Sequence, residues 1–119
     1  MPHSTTRADL QFAENALRAL VEHLQAGPLK DDSLAIAAVG DLEVRIAAAH
    51  ALLEWAERSP AAAIEARLAA AEAAHRGNEL HLEWSGRVLD RPSVEGQSVP
   101  LAHLRRRLGD HYLNGVAPD

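Results

Sequence analysis

Nine of the fourteen residues from Ala61 to Ala74 are alanine, in a chain where alanine fills 24 of 119 positions. Alanine is the strongest helix former, and its single methyl group lets neighbouring helices approach closely. Aromatic residues number four, namely Phe12, Trp55, Trp84 and Tyr112. A sheet protein needs more β-branched and aromatic side chains than this. The composition therefore predicts an all-α domain, with modest apolar area on each helix and a tendency to gain stability by packing against another copy or a partner.

A chain of 119 residues has room for one domain, 1–119, and too little for two ordinary ones. A hydrophobic fraction of 47% with 24% charged residues is that of a folded protein rather than a disordered one. No cysteine is present, which removes disulfides, thiolate metal sites and cysteine nucleophiles together. The net charge of -5 argues against a nucleic-acid footprint. No apolar run approaches the roughly 20 residues that span a bilayer, and the N-terminus carries no signal-peptide core. The expectation is a soluble, cytoplasmic domain with no nucleic-acid or membrane partner.

Apolar spacing and end signals predict four helices, at about 7–26, 33–58, 60–84 and 99–114. Thr6, followed by Asp9 three positions on, reads as the start of the first, and Leu10, Leu17, Val21 and Leu24 mark its face. Gly27-Pro28 ends it. In the second, Val39, Leu42, Ile46, Ala49, Leu53 and Ala56 alternate by threes and fours as a bundle seam. Leu34, Ile36, Leu52 and Trp55 widen that surface, so this helix is expected to be central, and Gly40 inside it suggests the close approach of another backbone or a local kink. Ser59-Pro60 caps the third helix, whose stripe Ile64, Leu68, Ala71 runs on to His75, Asn78 and Leu82. That polar turn, with Gly77, predicts a frayed or bent segment. A loop from Ser85 to Val99 is long for a compact bundle. Ser98 is the expected cap of the fourth helix, with Leu101, Leu104, Leu108 and Tyr112 on its apolar face, and Asn114-Gly115 closes it. Short links at the first two junctions point to an antiparallel, up-down-up-down four-helix bundle.

Few residues suggest chemistry. Glu72 and His75 form a Glu-x-x-His pair, the spacing of di-iron carboxylate bundles, but such sites need a second pair, which this chain lacks. They are weak metal candidates. His50 and Glu54 stand one helical turn apart, an ordinary surface contact. No nucleophile elbow, phosphate loop or dinucleotide fingerprint occurs. Asp31-Asp32 reads as a solvated link before a helix N-terminus. Arg105, Arg106 and Arg107 read either as a solvated face or as an anion contact across an oligomer interface. Trp55 and Trp84 are expected in the core or in an intersubunit contact, and less readily against a flavin.

Two stretches resemble the C-terminal helical domain of the acyl-CoA dehydrogenase superfamily, in the branch of flavin-dependent monooxygenases and sulfur-acquisition oxidoreductases. Val39-Gly-Asp-Leu-Glu-Val-Arg-Ile-Ala-Ala-Ala-His-Ala-Leu-Leu53, which follows an alanine-rich helix and a short polar link as in the family, is similar to that branch's "vGeLevrlhAAeaLL" helix, and Gly109-Asp-His-Tyr-Leu-Asn-Gly-Val116 to its closing segment. Leu89-Asp90-Arg91 echoes the start of a flavin-bordering segment, but the chain then reads Pro92-Ser-Val-Glu-Gly-Gln-Ser-Val-Pro100, without that segment's aromatic and basic groups.

The resemblance implies a four-helix bundle that packs on flavin and builds a tetramer core in full-length members. It carries over only Asp90 and Arg91 as weak cofactor-binding residues, and no catalytic residue. Full members also hold an N-terminal helical domain and a middle β-domain, which this sequence lacks, whether Met1 opens a complete short protein or the sequence is a piece of a longer one. The implied function is a stand-alone or degenerate bundle acting as an oligomerisation module, not catalytic alone, with a homo-oligomer or a flavoprotein subunit as partner. Two alternatives stay open. One is a subunit of a split flavin enzyme, where FAD or FMN enters only if a partner supplies the other domains. The other is a small metal-binding bundle built around Glu72 and His75.

Overall fold

The computed structural model describes residues 3–91 and 99–119, and all of the regular structure within them is helical. Four α-helices follow one another: α1 over Ser4–Gln25, α2 over Ser33–Trp55, α3 over Pro60–Ser85 and α4 over Leu101–Asn114. A single 3₁₀ turn, Pro28–Asp31, joins α1 to α2. No helix among the described residues is long and apolar enough to cross a membrane.

Local chemistry sets most of the boundaries. Asp32 caps α2, its carboxylate accepting the backbone N–H groups of Leu34 and Ala35, both at 3.0 Å. Ser59 caps α3 by accepting from the Ala62 N–H at 3.1 Å, with Pro60 in the first helical position. Gly86 and Gly115 end α3 and α4 in the left-handed conformation, at φ 77° and 72°. The first helix departs from expectation. It starts before Thr6, with His3 at its N-cap position and no side-chain cap, and Thr6 is buried inside it. Helix α2 stops at Trp55 rather than Arg58, because the N–H groups of Arg58 and Ser59 both turn back to the Trp55 carbonyl. Ser98, the expected cap of α4, lies outside the described residues.

The central element is α3, not α2. It packs against α1, α2 and α4, and α4 makes close backbone contact with no other helix among the described residues. Two apolar clusters result. The larger joins Leu10, Ala13, Leu20 and Leu24 of α1 to Leu42, Ile46 and Ala49 of α2 and Ala70, Ala73 and Leu80 of α3. The smaller holds α4 to α3 through Leu104 on Ile64 and Leu68, flanked by Leu101 and Leu108. The alanine block explains the reversal: small side chains leave α3 room for neighbours on several sides, so residues as far apart around the helix as Ala66, Ala70, Ala71 and Ala73 are all buried.

The polar stretch of α3 does not break it. The helix runs unbroken through His75, Gly77 and Asn78. His75 faces outward, while the core stripe passes through Ala70, Ala73, Gly77 and Leu80. Gly77 is the point of closest approach. A Cβ built there would stand 2.9 Å from the Cβ of Ala16 and 3.8 Å from both Leu42 methyl groups. Gly40 is the opposite case, exposed and with open space around it. The two glycines therefore respond oppositely to the same change. Gly40→Ala is expected to stabilise the fold by roughly 0.5–1 kcal/mol through helix propensity. Gly77→Ala should cost about 1 kcal/mol net, since the fixed Ala16 methyl cannot rotate away and overpacking costs roughly 1–3 kcal/mol. Urea unfolding of the two variants beside the parent checks both signs.

Candidate functional site

The side chain that organises the polar chemistry is Asp9. It lies on the same α1 stripe as Ala13, Ala16 and Leu20 and is 5% exposed. A buried carboxylate is costly unless it is paired and hydrogen-bonded. Asp9 is both. Arg67 of α3 donates to one of its oxygens at 2.8 Å, and Arg91 donates to the other at 2.7 Å. Arg91 also donates to Nδ1 of His75 at 2.9 Å, and its guanidinium lies 5.7 Å from the centroid of the Phe12 ring. One carboxylate thus ties the segment after α3 back to α1 and α3.

The residues singled out from the sequence fall around this cluster rather than forming a site of their own. Glu72 is exposed and takes Arg105 of α4 at 3.3 Å, with Arg45 of α2 at 4.0 Å. His75 is turned to Arg91, so the two members of the Glu-x-x-His pair have separate cationic partners. Among the described residues no group of three or more His, Asp or Glu side chains converges. Arg91 is engaged by Asp9 and His75, and Asp90 beside it is exposed. Of the arginine run, Arg105 holds Glu72, and Arg107 anchors the tail by donating from Nε and a terminal nitrogen to the Pro118 carbonyl at 3.1 and 2.9 Å. His50 pairs with Glu14 of α1 rather than with Glu54.

His81 and Ser85 stand near each other and brace the end of α3. The buried His81 ring donates from Nδ1 to the Arg87 carbonyl at 2.9 Å, and the Ser85 hydroxyl donates to the His81 carbonyl at 2.6 Å.

The tryptophans separate. Trp84 packs against the large core, whereas Trp55 is 57% exposed with the Arg58 guanidinium 5.6 Å from its ring centre. Trp55 belongs to an uncovered face of α2. Ala37, Gly40, Val44, Ala48, Ala51 and Trp55 recur at helical spacing, all exposed and all uncharged. Leu34 and Ile36 flank its first turn, 71% and 57% exposed. A helix with apolar residues on more than one side is ordinarily covered on each of those sides. Here the inner side meets α1 and α3, and the outer side meets solvent.

No family model, curated protein or solved structure matches this chain.

The Asp9 cluster and the one tyrosine each yield a measurable expectation. Asp9→Asn leaves two part-buried guanidinium groups without their anion and should cost about 2–3 kcal/mol in urea unfolding, less than a fully buried pair because Arg91 keeps some solvent. Arg91→Lys, which keeps the charge and loses the planar fork, should cost less. Tyr112 donates to Glu65 at 3.0 Å. That bond and the negative charge of Glu65 raise its phenol above the ordinary 10.0. The bond's contribution to stability is therefore complete below pH 10.0 and is lost as the pH climbs through the raised value. Because the chain holds a single tyrosine, its phenolate absorbance reports this directly. The midpoint should lie above 10.0 and fall back toward it in Glu65→Gln.

Proposed function

We propose that this chain is an assembly module, a helical bundle with its helices alternately up and down, that pairs with a second copy of itself through the outer face of α2. The alternating course is supported by the register of cross-helix partners. Asp9 and Ala16 meet Arg67 and Gly77 in ascending order, whereas Asp41 and Arg45 meet Arg76 and Glu72 in descending order. Between α3 and α4 the order descends again, from Glu72 with Arg105 to Glu65 with Tyr112. The same plan is the one that the resemblance to the acyl-CoA dehydrogenase C-terminal domain implies, where the bundle serves assembly.

The observation that carries the reading is the uncovered stripe from Ala37 to Trp55. Small side chains permit close approach of a second helix, and no charge in the stripe opposes it. A 23-residue helix is about 35 Å long, so a face about 10 Å wide offers roughly 350 Å². That is below the ~800 Å² per partner of a standard interface, so a reversible association is expected.

Sedimentation equilibrium over about a hundredfold range of concentration tests it. The mass should rise above 12.8 kDa with concentration in the parent and remain at 12.8 kDa in Val44→Glu and Ala48→Glu, both of which keep the inner face intact. A parent chain that is monomeric throughout overturns the reading.

A further inference from the structure

A second surface lies beside that stripe and differs from it in charge. Between α1 and α2, on the side away from α3, runs an open groove of about 710 Å³. Its floor is apolar, formed by Leu17 and Val21 of α1 with Ile46, Ala47 and Ala51 of α2. Its rim carries four carboxylates, Glu14, Glu22, Glu43 and Glu54, against one guanidinium, Arg18. Glu14 is held by His50, and Arg18 donates to Asn15. Glu22, Glu43 and Glu54 have no cationic partner among the described residues.

We infer that this groove is the docking surface for a cationic amphipathic helix of a partner protein, with that helix's apolar stripe on the floor and its Lys or Arg side chains against Glu22 on one wall and Glu43 and Glu54 on the other. The dimensions fit: Glu43 and Glu54 are eleven residues apart, about 16 Å or three helical turns. A helix laid there packs against α1 and α2 and encloses their shared apolar seam, the helix-in-groove mode of recognition. Charge selects the occupant. A second copy placed groove to groove would bring two acidic rims together, which like-charge juxtaposition disfavours. The surface borders the uncharged α2 stripe proposed for self-association at Ala51 and is otherwise lined by other residues, so each can fail without the other.

The probe is a fluorescent synthetic peptide of about fourteen residues, with leucines at helical spacing and lysines on both flanks, titrated in parallel with the same peptide carrying glutamates in place of lysines. The lysine peptide is expected to bind, more weakly as salt is raised, and the glutamate peptide is not. Glu43→Gln with Glu54→Gln should weaken binding about fivefold, at roughly 0.5 kcal/mol per exposed pair. Ala47→Arg, which fills the floor from a position outside the stripe, should abolish it. Neutralising two carboxylates elsewhere, Glu57→Gln with Glu83→Gln, should leave the affinity unchanged. Equal weakening by the two neutralised pairs would mean diffuse attraction to an acidic protein, and indifference to peptide charge would mean a merely sticky floor. A gain in solution mass for Glu43→Gln with Glu54→Gln would identify a second copy as the occupant. Any of these three, or no binding at all, overturns the inference.

Discussion

The contact between Ala16 and Gly77 sets the spacing of everything else. With a hydrogen on one helix facing a methyl on the other, α1 and α3 approach as near as two helical backbones can while still filling the seam. Ala13, Ala70, Ala73 and Ala74 line the same core. Leu42 reaches into this contact from α2, so the position of α2 also depends on it. The largest side chains that are wholly enclosed are leucines, Leu20, Leu42 and Leu80. The fold is thus held by the nearness of its axes rather than by large interlocking side chains.

That arrangement shows why part of the architecture is legible in the sequence and part is not. The helix count and the turns come from local signals, such as Asp32 and Ser59 accepting N–H groups in the next turn, and those need no knowledge of neighbours. Which helix lies at the centre is a question about neighbours. Leucine and isoleucine counts favour α2, whose own sequence is apolar on more than one side. The structure favours α3, because alanine takes up so little volume that several partners fit around it. Gly40 and Gly77 make the same point within single residues. Both sit inside helices; close packing is expected at Gly40 and fraying at Gly77, and it is Gly77 that has the close neighbour.

The polar cluster is a second instance. Thr6 and Asp9 have the spacing and the chemistry of a helix start, yet both are buried within α1. The usable signal is periodicity. Asp9 falls on the stripe that continues through Ala13, Ala16 and Leu20, which is where a carboxylate needs a strong partner. Its partners, Arg67 and Arg91, are 58 and 82 residues away, and no local rule reaches so far. In the sequence, Arg91 is notable only through likeness to a flavin-bordering segment. In the fold, it is bonded to Asp9 and His75.

A core filled by methyl groups instead of rings has a thermal consequence. The heat capacity released on unfolding follows the apolar area newly wetted, and polar backbone exposure offsets it. Alanine contributes little of the first and a full share of the second. Free energy plotted against temperature should accordingly trace a shallow arch, with stability that changes slowly on warming and persists on cooling, where chains built on phenylalanine and tryptophan begin to loosen.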